Sequence, residues 1–459
     1  MSVADVAIVG AGAVGSAMAR RFTLEGARVI LLERGADLLS GASKGNSAIL
    51  HTGFDAPPGS VELSCMQAGY AEYLAIRESF NLPLLETGAM VVAWSEPERM
   101  ALDRIETQAR TNGIGNVRRL SGTEIRAREP ELSTRALEAL LVPGEHVIDP
   151  WSPFLAYLLQ AKAHGTEISF GTEVVTGHFD GQAWALKTSR GERRARTVIN
   201  CAGLYGDRLD ARLLGAASFE IRPRKGQFVV FDKAAAKLLK TIILPVPSER
   251  TKGVVLTRTA FGNLLVGPTA EEQKDRERAT VEEETLRMLM VKAAEMVPAL
   301  AHMDVTAVYA GLRPATEEKP YRISVRPERN WITVGGIRST GLTASLGIAR
   351  HVYKLYEDLG NRHRAIAAPV TPRVPNLAEH LPRDWQTPGY GEIVCHCEMV
   401  TRREIEQALS GPVPAGDFGG LRRRTRCGMG RCQGFYCNAQ IAALTAGRLA
   451  SPLAVGDAA

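Results

Sequence analysis

The sequence predicts an α/β protein in which a Rossmann-like domain is interleaved with an antiparallel-sheet domain and followed by a small α-helical module. Three observations carry that prediction. A strand, a glycine turn and a helix open the chain at Val6-Ala7-Ile8-Val9, Gly10-Ala11-Gly12-Ala13-Val14-Gly15 and the stretch through Leu24. The middle alternates short apolar strands with polar helices and does not split into separate halves. Five of the seven cysteines fall in the last 65 of 459 residues, as Cys395-His396-Cys397, Cys427, Cys432 and Cys437.

The opening segment has the chemistry of a dinucleotide site. Gly10 permits a tight turn, Gly12 lets the backbone approach a pyrophosphate, and Gly15 lets the helix lie close to the sheet, so that the helix N-terminus faces the phosphates. Val29-Ile30-Leu31-Leu32 forms the next strand, and Glu33 at its end is placed to accept hydrogen bonds from ribose hydroxyls. No second complete glycine fingerprint follows a strand, so a single dinucleotide is expected.

Strands are predicted at 86–94, 226–231, 253–257 and 263–267, with polar helices around 97–112 and 280–296. Val198-Ile199-Asn200-Cys201-Ala202-Gly203 and Trp331-Ile332-Thr333-Val334-Gly335-Gly336 are apolar strands with small ends that let backbone lie against a cofactor. Cys201 and Cys65 read as core residues. The expected organisation is a nucleotide domain from 1–85, 145–215 and 320–360, and a substrate domain from 86–144 and 216–319. A proline-spaced linker over 361–391 and a C-terminal module over 392–459 complete it.

A chain of this size buries enough apolar surface to need no disulfides, so the clustered thiols ask for another purpose. Cys-x-Cys and Cys-x-x-x-x-Cys, separated by a helix with the capping box Thr401-Arg402-Arg403-Glu404, supply four soft ligands for a [2Fe-2S] cluster or a structural zinc. His396 stands between two ligands and points away as a bystander. A second helix is expected near Cys437. Because a bound flavin can pass single electrons to such a cluster, FAD is the consistent dinucleotide.

Composition sets the outer limits. A chain of 45% hydrophobic and 23% charged residues has ordinary soluble usage, and a net charge of +6 spread among interleaved acids and bases excludes nucleic-acid binding. It leaves room for a small anionic substrate. No apolar run approaches the roughly twenty residues of an integral membrane segment, and the chain opens on a strand, so a cytoplasmic protein is expected.

With these segments in place, the chain resembles the FAD-dependent D-amino-acid oxidase superfamily, on its glycerol-3-phosphate dehydrogenase and L-2-hydroxyglutarate oxidase branch. The matching stretches are the glycine loop, Gly45-Asn46-Ser47-Ala48-Ile49-Leu50-His51-Thr52-Gly53, Asn200-Cys201-Ala202-Gly203-Leu204, Arg224-Lys225-Gly226, Gly267-Pro268-Thr269, Gly311-Leu312-Arg313-Pro314 and Gly336 through Ser345. Its tail resembles the [2Fe-2S] module of bacterioferritin-associated ferredoxin. The resemblance puts the metal ligands at Cys395, Cys397, Cys432 and Cys437, with Cys427 a surplus thiol that a swapped ligand set could use. It implies flavin contacts from Glu33, Arg34, Ser43, Asn46, Ser47, Val174, Ala202, Gly203, Gly336, Ser339, Gly341 and Leu342. It also implies a substrate-facing His51 and an anion-binding Arg313.

Two departures bear on the substrate. Arg258 stands where relatives often carry proline, and Gln227 stands where an acid is common; an inward Arg258 adds a second positive contact. The expected activity is oxidation of a small anionic secondary alcohol, with glycerol 3-phosphate the leading candidate. His51 is the base, and Arg313, helped by Arg258 or Lys319, holds the anion. The alternatives are a 2-hydroxy acid, a secondary amine such as an opine or amino acid, or a non-catalytic electron-transfer subunit. Electrons are expected to leave through the cluster to a partner redox subunit or quinone, which would make any membrane association peripheral, through that partner.

Overall fold

The computed structural model describes residues 3–247 and 253–453. Residues 1–2 and 248–252 of the two expected large domains, and 454–459 of the expected C-terminal module, lie outside the described residues.

The opening strand Ala4–Val9 is buried along its whole length, so both of its faces must be covered. It lies in the middle of a largely parallel sheet between Val29–Leu32 and the far half of Gly191–Asn200, with Glu167–Ser169 outside Val29–Leu32. Gly191–Asn200 is shared along its length. Its first half pairs antiparallel with Trp184–Thr188, and its last three residues pair parallel with Trp331–Gly335. Helices Ala13–Leu24, Ser152–Ala163 and Gly341–Asp358 contribute to one apolar cluster on the sheet, and helix Gly206–Leu214 with Trp184 and Trp331 to another.

A second sheet of nine strands runs Glu271–Glu272, Arg224–Phe231, Leu264–Gly267, Val255–Arg258, Ile242–Pro245, Ala89–Ala93, Glu138–Val142 and Arg118–Ser121, with Val305–Arg313 on the free side of Arg224–Phe231. The predicted strands and the helices Glu96–Thr111 and Glu283–Met296 appear here. The sheet is antiparallel except where Ile242–Pro245 runs parallel to Ala89–Ala93.

After residue 360 the chain has no long element until Ile393. It runs over the first domain through backbone contacts such as Ile366 to Leu24 and Val374 to Phe80. The capping box forms as predicted, Thr401 and Glu404 each accepting from the other's backbone N–H to start helix Arg402–Ser410, and helix Asn438–Thr445 follows Cys437. Helix Phe418–Thr425 was not predicted, because its Gly419-Gly420 pair and three successive arginines carry no apolar period.

Candidate active site and metal centre

Gly10 is left-handed, with φ of +108°, and a Cβ there would lie 2.5 Å from the Cys201 carbonyl oxygen; a Cβ on Gly15 would lie 1.8 Å from the oxygen of Gly10. Only glycines let helix Ala13–Leu24 begin against the sheet in this way. That helix has no side-chain cap of its own and no acid in its first turn. Ser43 Oγ accepts from Ala13 N at 3.0 Å, and the remaining terminal amides open into a cleft. Glu33 accepts from Ala11 N at 2.7 Å and Gly35 N at 2.6 Å, which ties the glycine loop to the second strand. Burial holds its carboxyl above the usual range, against those amides.

The cleft has a volume of about 2230 Å³ and runs from Gly10, Gly12 and Glu33 past Ser43, Asn46 and Ser47 to His51 and Arg313. Arg34, Val174, Ala202 and Gly203 line it near the glycine loop, and Gly336, Ser339, Gly341 and Leu342 line it further along. Gly15 supports the loop from behind. This combination of uncapped helix amides, glycine cradle and terminal acid fits the pyrophosphate and ribose of a dinucleotide. The length of the cleft beyond them leaves room for a flavin ring beside His51.

His51 is fixed from two sides. Its backbone N–H donates to Thr343 Oγ1 at 3.0 Å, and its Nδ1 lies 2.6 Å from Glu145 Oε2. Glu145 is fully buried, and its other oxygen accepts from Thr52 N at 2.6 Å and Thr52 Oγ1 at 2.8 Å. With the carboxylate accepting from Nδ1–H, the lone pair on His51 is at Nε2. Glu145 escaped the sequence reading because it is 94 residues from His51 and no local pattern marks it.

Arg313 ends strand Val305–Arg313 and faces the same cleft. Its Nη2 donates to the Thr269 carbonyl at 3.1 Å, while its buried Nη1 has no hydrogen-bond partner among the described residues. Burial, and then the positive Arg224 and Arg338 beside it, lower its pKa to about 10. A Cβ on Gly226 would lie 2.6 Å from Arg313 Nη2, so the glycine makes room for the guanidinium. The unsatisfied donor of Arg313 offers a site for an anion in a cleft that Arg224, itself paired with Glu272 at 2.9 Å, and Arg338 also line.

Arg258 does not add a second positive contact to the cleft. It ends strand Val255–Arg258 against Leu264, is absent from the cleft lining, and lies instead near His380, whose protonation it disfavours after burial. The strand's register sends its side chain away from the substrate end. Gln227 also stays out of the cleft: it is fully buried, donates to Glu271 and accepts from Glu282 N at 2.6 Å, holding the loop that those acids flank. Lys319 does line the cleft.

The cysteines come from two places. Cys395 and Cys397 lie on the hairpin of Ile393–Cys395 and Val400–Thr401, and Cys432 and Cys437 on the loop before helix Asn438–Thr445. Their thiols meet as two pairs, Cys397 with Cys432 and Cys395 with Cys437. Backbone N–H groups of Tyr436, Gly434 and Phe435 point at Cys432 and hold its thiol below the ordinary range, and Gly428 N donates to Cys395 Sγ at 3.5 Å. Among the described residues no three His, Cys, Asp or Glu side chains converge on a point that could hold a single ion. Four thiols brought together as two pairs fit the four thiolate ligands that a [2Fe-2S] cluster would take, better than one tetrahedral zinc. Cys427 is buried, with its thiol engaged by Thr425, and His396 is exposed.

Comparison with known proteins agrees with this geometry. Residues 5–355 match the family model of FAD-dependent oxidoreductases (DAO), and residues 393–446 match the BFD-like [2Fe-2S] binding domain. A glycerol 3-phosphate dehydrogenase of Caloramator mitchellensis is 30% identical over 97% of this chain and 94% of its own length. One subunit of the anaerobic glycerol-3-phosphate dehydrogenase of Escherichia coli K12 is 25% identical over 96% of this chain and 87% of its own. The solved structure of the L-α-glycerophosphate oxidase of Mycoplasma pneumoniae with FAD bound superposes with a TM-score of 0.75 at 27% identity, covering 82% of this chain and all of that one. The chain therefore belongs to the FAD-dependent oxidoreductase (DAO) family and is an FAD enzyme carrying a C-terminal BFD-like [2Fe-2S] domain.

Proposed function

We propose that the protein is a dehydrogenase of a small secondary alcohol bearing a neighbouring dianion, with glycerol 3-phosphate as substrate. The observation that carries this is the pairing, in one cleft, of a His51 oriented by buried Glu145 with an Arg313 whose donor is unsatisfied and whose charge is opposed by Arg224 and Arg338. Arg313 Nη1 lacks a partner while Arg224 is already paired with Glu272 at 2.9 Å, so Arg313 is the main contact offered to the anion, and its planar fork suits a phosphate. The names of the similar glycerol 3-phosphate dehydrogenases and oxidase support the same substrate.

Arg313 fixes the anion, with Lys319 and Arg224 at the same end, and so sets the distance of the alcohol carbon from His51. His51 Nε2 takes the hydroxyl proton, and Glu145 stabilises the imidazolium that results. Bound FAD would accept the hydride from that carbon, and the cluster would carry its electrons onward one at a time. A partner redox protein or a quinone is the proposed acceptor, in line with the similar Escherichia coli protein being named as one part of a larger enzyme. No helix among the described residues is long and apolar enough to cross a membrane.

The test is anaerobic bleaching of the flavin by glycerol 3-phosphate, 2-hydroxyglutarate and N-substituted amino acids. Fast bleaching by glycerol 3-phosphate alone supports the reading, and bleaching by either other class in its place refutes the substrate.

A further inference from the structure

Electrons entering at the cleft must cross from the first domain to the cysteines, and one line of packed side chains spans that distance. Trp151 Nε1 donates to the carbonyl of Lys44 at 3.1 Å, and Lys44 lines the cleft between Ser43 and His51. The Trp151 ring stacks on Phe261 of the substrate sheet, with centroids 5.2 Å apart and planes 17° apart. On Phe261 lies the Arg426 guanidinium of the C-terminal module, 4.0 Å from the ring centroid. Arg426 Nε is 2.8 Å from Glu398 Oε2, and Glu398 directly follows Cys397. Two residues after Arg426, Gly428 N donates to Cys395 Sγ.

Each component is held rigidly. Phe261 and Arg426 are buried, and the Arg426 backbone is left-handed at φ of +68°. Asp149 Oδ1 accepts from Trp151 N at 2.8 Å and Ser152 N at 3.1 Å, which anchors the backbone that carries the indole. Such stacking and cation–π contact would also serve as simple glue between domains. The position of this contact argues for more, because it reaches the cleft through Lys44, on the loop between Ser43 and His51, and reaches the module beside Cys397 through Glu398 and beside Cys395 through Gly428. Electron tunnelling falls off more steeply across open gaps than through bonded and packed atoms. From Lys44 to Cys395, every gap in this line is a hydrogen bond or a ring contact.

We propose that Trp151 and Phe261, capped by Arg426, are the coupling route for electrons between the flavin and the [2Fe-2S] cluster. The inference rests on the reading that this chain passes electrons from one centre to the other, and does not depend on the identity of the substrate. In each transfer the reduced flavin loses one electron and the cluster gains one. Two transfers return the flavin to its oxidised form, and its proton leaves through the cleft to solvent. The cluster is emptied between them by the acceptor, a one-electron redox protein or a quinone.

The test uses the holoenzyme, with the flavin reduced anaerobically by light and EDTA so that no substrate is needed. Freeze-quenched samples then report the appearance of the paramagnetic reduced cluster. The variants are Trp151→Leu, Trp151→Phe and Phe261→Leu, each checked for iron content, flavin content, midpoint potentials and Tm. The expected result is at least a tenfold slower cluster reduction in Trp151→Leu, little change in Trp151→Phe, and unchanged potentials in both. Equal rates in Trp151→Leu and wild type, at equal iron content, overturn the proposal. If Phe261→Leu loosens the module and loses iron, the two Trp151 variants decide the question alone. Failure of glycerol 3-phosphate to bleach the flavin would count against the substrate and leave this result standing.

Discussion

At the scale of single residues, the reacting end of the cleft depends on two groups whose partners lie far away in sequence. Glu145→Gln is nearly isosteric and keeps an acceptor for Thr52, but it turns an N–H toward His51 Nδ1. The imidazole must then carry its proton on Nε2, which removes the base. Flavin reduction by substrate should fall about 10²- to 10⁴-fold in Glu145→Gln and in His51→Gln alike; stopped-flow bleaching would show both, with little change in substrate affinity. Arg313 makes the opposite prediction, in affinity. Its lowered pKa means that the proton leaves near pH 10, earlier than from an exposed guanidinium. Below that pH the cation is present and binds the anion, so the dissociation constant should rise as pH passes about 10. Arg313→Ala should raise it roughly 10- to 100-fold at neutral pH, from the loss of charge-assisted hydrogen bonds worth about 1.5–3 kcal/mol. Neither partner set was legible in the sequence: His51 and Arg313 stood out as residue types, but Glu145 and the crowding arginines did not. Arg258 read as a second anion contact, and strand register turned it elsewhere.

At the scale of elements, helices Val61–Phe80 and Gly341–Asp358 cross at two glycines. A Cβ on Gly69 would lie 2.1 Å from the Thr343 carbonyl oxygen, and one on Gly347 would lie 2.0 Å from that of Cys65. Gly347→Ala must therefore push the helices apart, at a cost of about 1–3 kcal/mol. Urea unfolding of the holoenzyme should show the lower midpoint. Gly69→Ala should also slow flavin reduction, because Thr343 holds the His51 backbone and Gly341 with Leu342 lines the cleft. Local signals did announce many elements here, the strand and glycine turn at Val6–Gly15 and the Thr401–Glu404 capping box among them. Each of these states its own hydrogen-bond or steric requirement within a few residues. Helix Phe418–Thr425 could not be announced that way. Gly420 is there because a Cβ would lie 1.6 Å from Asp37 Oδ2, a demand made by another domain.

At the scale of the whole molecule, the C-terminal module docks on the nucleotide domain through a buried ion pair. Asp37 is fully buried, and Arg424 reaches it with two contacts of 2.7 and 2.8 Å, while Gly416 N donates to the same carboxylate at 3.0 Å. Arg424→Ala strands that carboxylate, and about 3–5 kcal/mol should be lost. Limited proteolysis should then cut first within 361–391, releasing the module before the flavin domain unfolds. The sequence by itself determined that this chain binds a dinucleotide and holds soft-ligand metal, because glycine backbone freedom and thiolate chemistry are properties of residue types at short spacing. Only the tertiary structure decided which carboxylate orients His51, which arginines crowd Arg313, that the thiols meet as two pairs, and that Trp151, Phe261 and Arg426 lie in one line. Those are contacts between residues tens to hundreds of positions apart, and their energies arise only when packing has removed water from between them.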